Sequence, residues 1–244
     1  MVNVSKQARA QHAARAAQQR LARARQQQRR QRAGWVSAVA VAVLLVAGLA
    51  GVALWQANKP GGGATPAAAT TDGGLEVGTG PVTVEIYLDF LCPACKMFDD
   101  AVRPMLRQYV DDEAVTVVYH PISILDQKTT TEYSTRAAGA AGCASDGGVV
   151  DEFVAVMMAY QPTEGSTGLS DDEIISLGAS TGLTGESFGE CVRDGTYRDW
   201  VRDHTNQAFD RGVQGTPTVF VDGTLLGDGS VEGLSAAIES AAAG

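Results

Sequence analysis

Histidine is scarce in this chain of 244 residues: His12, His120 and His204 are all it has. No two stand four apart, so a helical metal-binding pair is excluded, and no Ser/His/Asp arrangement presents itself. His12 lies in a basic arm. His120 at a strand end and His204 on a helix read as surface or satisfied residues rather than catalysts. Glycine-rich phosphate loops are missing too, because Gly61-Gly62-Gly63 has neither a strand before it nor a helix directly after it. The first 34 residues lack any acid and carry Lys6 and eight arginines, for a charge of +9. The whole chain is −9, so the remainder is −18. No aromatic residue is interleaved with those arginines, so nucleic acid is not an expected partner.

A long apolar run is present once. Trp35 to Trp55 is 21 residues without a charge, bounded by two tryptophans. About 20 apolar residues span a bilayer as a helix, and tryptophan favours both interfaces. The expectation is a single membrane anchor at 35–55 in contact with lipid, longer than the apolar region of a cleaved signal peptide. The arginine-rich arm, 1–34, is expected to stay in the cytoplasm, with everything after Gln56 outside. Residues 56–80 are rich in Gly, Ala, Thr and Pro and read as a flexible tether with a typical span of about 25–30 Å.

A folded domain is expected over 81–244. Val82 to Phe90 is a β-branched apolar run that leads into Cys92-Pro93-Ala94-Cys95 and an amphipathic helix to Val110, with Phe98, Val102, Met105, Leu106 and Tyr109 on one face. Pro104 within it predicts a kink. Val115 to Tyr119 is a second strand, giving a βαβ unit with its chemistry at the carboxyl end of the first strand. About 123–212 then reads as helices: Thr131–Ala144, Val149–Tyr160, one opened by a capping box at Ser170 with Glu173, one by a second such box at Ser187 with Glu190, and Tyr197–Arg211. Two β-rich runs flank Asp222-Gly223, a strong hairpin signal, and Val231–Ala242 is a last helix. Pro217 is expected at the first position of its strand or in an unusual peptide geometry.

Four cysteines allow three pairings. Two of them, Cys92 and Cys95, sit at a helix start, where free N–H groups and the positive end of the dipole stabilise a thiolate. Pro93 suits that position because its missing N–H costs nothing there. The reading is a thiol–disulfide redox centre. Outside the cytoplasm, the economical partner assignment is a structural bridge between Cys143 and Cys191. Two buried free thiols, or one zinc on all four sulfurs, are the alternatives; zinc is disfavoured because Cys143 and Cys191 each stand alone. No metal and no cofactor are expected.

Asp89-Phe90-Leu91-Cys92-Pro93-Ala94-Cys95, followed far downstream by Gly215-Thr216-Pro217-Thr218-Val219-Phe220-Val221-Asp222-Gly223, resembles the DsbA family of thiol–disulfide oxidoreductases. The resemblance covers about 75–244. It implies a thioredoxin-like α/β fold with an inserted all-helical subdomain. It also implies a cis-proline at Pro217 facing the cysteine pair, a substrate contact at the Thr216 backbone, Cys92 as nucleophile and Cys95 as its buried partner. Similar membrane-anchored actinobacterial members often carry a second disulfide, which agrees with Cys143–Cys191. Implied partners are exported proteins with cysteine thiols and a quinone-linked membrane redox protein. The resemblance leaves open a reductase or isomerase fed by a membrane donor; the residues also allow a peptide-binding factor with a structural disulfide. The chain departs from the family where a buried acid often stands six residues before the first cysteine, a position held here by Ile86. Glu85 and Asp89 lie on the opposite side of a regular strand, so neither is assigned a proton relay. The central Pro-Ala lacks the histidine of the most oxidising members, which predicts a milder potential.

Overall fold

The computed structural model describes residues 63–244. The expected membrane span at 35–55 and the basic arm lie outside the described residues. Among those that are described, no helix is long and apolar enough to cross a membrane.

Five strands form one sheet in the order β1-β3-β2-β4-β5. β2 (Val82–Leu88) and β3 (Val115–Pro121) are parallel at its centre, with Val84 opposite Val117 and Tyr87 opposite His120. β4 (Thr218–Val221) runs antiparallel to β2, and β5 (Thr224–Leu225) antiparallel to β4. The turn between these last two is the expected Asp222-Gly223, with φ of 46° and 75°. Both values lie in the left-handed region that a two-residue hairpin of primed type requires. Asp222 also accepts from the Thr83 amide at 2.7 Å, tying the hairpin to the neighbouring strand.

β1 (Leu75–Val77) corrects the expected tether. It pairs antiparallel with β3, and Leu75 is fully buried. Three residues between glycines carry too little pattern to read as a strand, yet one buried leucine and an open sheet edge are enough to dock them. The tether reading fails at least over 75–77.

α1 (Pro93–Asp111) joins β2 to β3 and runs through Pro104. It buries Cys95, Val102 and Leu106, with Phe98, Met105 and Tyr109 partly buried beside them. α1 and the last helix, α7 (Val231–Ala243), pack together, and α7 lies against β2 and β4. Between β3 and β4 come α2 (Tyr133–Asp146), α3 (Val150–Ala159), α4 (Asp171–Ser180), α5 (Glu186–Asp194) and α6 (Arg198–Asp210). α2 is the hub of this insertion. Twelve of its 14 residues are buried, and its glycines and alanines let α3, α5 and α6 approach closely. The Ser170 capping box is present, with Ser170 Oγ accepting from the Glu173 amide and Glu173 accepting from the Ser170 amide. The second expected box is absent: Gly185 is the N-cap, α5 starts at Glu186, and Ser187 is already inside the helix.

The insertion is fastened to the sheet by charge as well as by apolar packing. Arg103 of α1 bonds Asp99 and Asp151, and Tyr119 of β3 donates to Asp151 at 2.7 Å. Asp151 sits in the first turn of α3, where the helix dipole also favours a carboxylate.

Candidate active site

Strand β2 ends at Leu88, and the chain turns once before the cysteines. Asp89 builds that turn. Its carboxylate is fully buried and accepts from the Leu91 amide at 2.9 Å, the Leu125 amide at 3.0 Å and the Ser134 hydroxyl at 2.7 Å. The turn after β2, the loop after β3 and the hub helix α2 therefore meet on one side chain. Burial pushes the Asp89 carboxyl up to about 6, against the three hydrogen bonds that favour its ionised form. Glu85 pairs with Arg211 on the sheet face covered by α6, and the hydrogen bonds of the Asp89 carboxylate go to Leu91, Leu125 and Ser134 rather than to a sulfur.

Cys92 is the N-cap of α1, with Pro93 in the first helical position. Its carbonyl accepts from the Cys95 amide at 3.0 Å and from Gln161 Nε2 at 3.0 Å. Gln161 follows α3, so the insertion reaches the backbone of the cysteine turn. Nothing in the sequence marks Gln161 for this role, because the contact spans 69 positions.

Both cysteines are free thiols and both are buried, Cys92 8 % exposed and Cys95 2 %. The exposed nucleophile that the resemblance implies is therefore not found at Cys92; the two differ in ionisation. The Cys92 Sγ lies 3.2 Å from the Thr216 carbonyl. A hydrogen bond from the Cys95 thiol, with further help from the Thr216 side chain and the amides of Cys95 and Ala94, pulls the Cys92 thiol down to about 5 against the cost of burial. Burial drives Cys95 the other way, far above the ordinary thiol range, and a hydrogen bond to its neighbour adds to this. The two shifts favour the thiolate at Cys92 and the proton at Cys95. Such a pair is suited to thiol–disulfide exchange.

Thr216-Pro217 is a cis peptide bond. Pro217 lies one residue before β4 rather than within it, so no ladder donor is lost. Thr216, the residue before the cis-proline, thus sits against Cys92 from 124 positions away in sequence. Cys143 of α2 and Cys191 of α5 form a disulfide inside the insertion, and the zinc alternative for the four cysteines has no geometric basis. His120 and His204 are both buried and stacked on each other, not at the surface as one reading had it.

Comparison with known proteins agrees with this geometry. The reduced form of the disulfide bond oxidoreductase DsbG from Mycobacterium tuberculosis superposes with a TM-score of 0.61 at 29% identity, covering 72% of this chain and 95% of that one. Oxidised DsbA from the same organism gives 0.62 at 29% identity, covering 70% and 93%. Among curated proteins, the Na(+)/H(+) antiporter NhaA 3 of Salinispora tropica is 32% identical over 162 residues, which is 66% of this chain and 23% of that protein. The chain thus spans about a quarter of the length of that curated relative. A family model described as thioredoxin matches residues 78–240. With the cysteine turn, the cis-proline and the helical insertion all in place, this chain belongs to the thioredoxin family and is of the DsbA-like thiol–disulfide oxidoreductase type.

Proposed function

We propose that the protein is an extracytoplasmic thiol–disulfide oxidoreductase that introduces disulfides into exported proteins through Cys92 and Cys95. One observation carries this reading: an easily ionised Cys92 against Thr216, backed by a more deeply buried Cys95 that holds its proton. A client thiolate attacks Cys92 Sγ of the oxidised pair. The S–S bond breaks, its electron pair goes to Cys95, and Cys95 takes up a proton. A second client thiolate then attacks the client sulfur of the mixed disulfide and expels Cys92 as a thiolate. The client has lost two electrons and the pair has gained them. No cofactor enters these steps.

The low ionisation point of Cys92 stabilises the reduced form, which favours oxidation of the client. Thr216 and Pro217 would receive the client backbone beside the sulfur. A quinone-linked membrane protein would remove the two electrons, and an anchor at 35–55 would keep the domain beside it. The apolar length of that segment supports the anchor, and the arginines before it support a cytoplasmic N-terminus.

The test is the redox equilibrium of the full chain against glutathione, read by thiol labelling of Cys92 and Cys95. A potential well above about −200 mV identifies a disulfide donor. A value near or below about −270 mV supports a reductase fed by a membrane donor instead. If the pair fails to cycle, the enzymatic reading falls and a binding factor replaces it.

A further inference from the structure

On the sheet face covered by α6, using none of the residues of the cysteine site, three electron-pair donors face one another. Glu85 of β2 and His120 of β3 are buried neighbours, with Oε2 and Nε2 3.4 Å apart. Asp72, in the turn before β1, brings its carboxylate over them, and one ligand atom of each residue lies within 4.8 Å of the other two. We propose that Asp72, Glu85 and His120 bind a divalent cation of the zinc class.

The strongest argument is an orphan. His120 is fully buried, and among the described residues its Nε2 makes no hydrogen bond; Glu85 Oε2 at 3.4 Å is its polar neighbour, without hydrogen-bond alignment. Its other nitrogen, Nδ1, lies 3.1 Å from His204 Nε2. In the tautomer that donates Nδ1–H to His204, Nε2 presents a bare lone pair to two carboxylates. A buried polar atom without a partner is costly, and a cation among these donors removes that cost.

Distance and ligand type agree. Zinc bonds of about 2.0–2.1 Å in a tetrahedron place neighbouring ligand atoms about 3.3–3.4 Å apart. The Glu85–His120 separation matches that edge. An imidazole beside two carboxylates suits zinc better than calcium or magnesium, which prefer oxygen alone. Outer partners are also present. His204 backs His120, the Thr70 hydroxyl donates to Asp72, and Arg211 holds Glu85 through both carboxylate oxygens. Arg211 offsets one of the two negative charges and opposes the cation, which makes the affinity moderate.

The backbone is shaped for this approach. Gly73 has φ of +83°, and a Cβ there would meet His204 Nδ1 at 2.6 Å. A Cβ on Gly74 would meet His120 Cε1 at 2.8 Å and Val118 Cγ1 at 2.2 Å. Only glycines let the Asp72 turn close over the two histidines. Exposure of Asp72 leaves an entry path from solvent.

The test is calorimetric titration of Zn²⁺ into the full chain with Cys92 and Cys95 held as a disulfide, since a reduced pair would itself take zinc. Co²⁺ serves as the spectroscopic substitute. One equivalent is expected, with a tetrahedral cobalt spectrum. Asp72→Asn and His120→Gln should each weaken binding by about tenfold or more, whereas His12→Gln should leave it unchanged. Because His120 is buried, its variant is checked for folding by circular dichroism; the exposed Asp72 variant carries the test if it fails. No binding by the wild type, or binding that Asp72→Asn leaves intact, overturns the proposal. Displacement of zinc by an equal concentration of Ca²⁺ overturns it too.

Discussion

The Ser134 hydroxyl donates to the buried Asp89 carboxylate at 2.7 Å, joining the hub of the helical insertion to the turn that presents the cysteines. The same carboxylate serves the Leu91 and Leu125 amides. Replacing Asp89 with Ala strands three buried donors, and we expect a loss of roughly 2–4 kcal/mol in urea unfolding. A loss below about 0.5 kcal/mol would show that the turn stands without it. The folded-state ionisation point is raised to about 6, above that of an unfolded aspartate. Folding therefore favours the protonated group, and its stabilising contribution falls as pH rises through that window. The cost of Asp89→Ala should accordingly be larger at pH 4 than at pH 7.

Thiolate absorbance of the reduced protein should titrate with a midpoint near pH 5 for Cys92. The Cys95 thiol is the leading cause of that shift, so Cys95→Ala should raise the midpoint toward the ordinary thiol value. Because the folded-state value is depressed, the stabilisation that Cys92 gives the reduced fold is present at high pH and is lost as pH falls through 5. An unmoved midpoint in Cys95→Ala would assign the shift to Thr216 and the helix-terminal amides instead.

Cys143 and Cys191 close a loop of 48 residues between α2 and α5. Replacing both with Ala should lower stability by about 3–4.5 kcal/mol in the chain-entropy account while leaving the Cys92 midpoint in place. A shifted midpoint would mean that the bridge also shapes the cysteine turn.

Two arginines of α1 separate buried from surface charge. Arg103 is 13% exposed and bridges Asp99 and Asp151, whereas Arg107 is half exposed and reaches Asp151 alone. Arg103→Ala should cost roughly 2–4 kcal/mol, because it leaves poorly solvated carboxylates unpaired. Arg107→Ala should cost less than about 1 kcal/mol, and high salt should erase that difference. Equal effects on urea unfolding would refute the distinction.

Much of this was legible in the sequence, and the reason is locality. The strand before Cys92, the helix after Cys95, the Ser170 box and the Asp222-Gly223 hairpin are each written within a few residues. Resemblance, not periodicity, pointed to Pro217 as the partner of Cys92. What escaped was held by contacts across the chain. β1 needs the edge of β3, Ser187 lost its cap to Gly185, and Asp89 takes partners from two later elements. Gln161 reaches Cys92 from a loop with no motif of its own. The buried histidines belong here as well: nothing near His120 in sequence announces His204, 84 positions on, or the carboxylates around it.

The sheet ends in strands of only three and two residues, β1 on one side and β5 on the other. If the protein handles unfolded clients as proposed, it meets the very segments that would extend an open edge into a growing β-aggregate. With so few unpaired amides and carbonyls on either flank, there is little template for such growth. On the proposed function, contact with a client would then be confined to sulfur and the proline loop, where it can be released by exchange rather than accumulated by pairing.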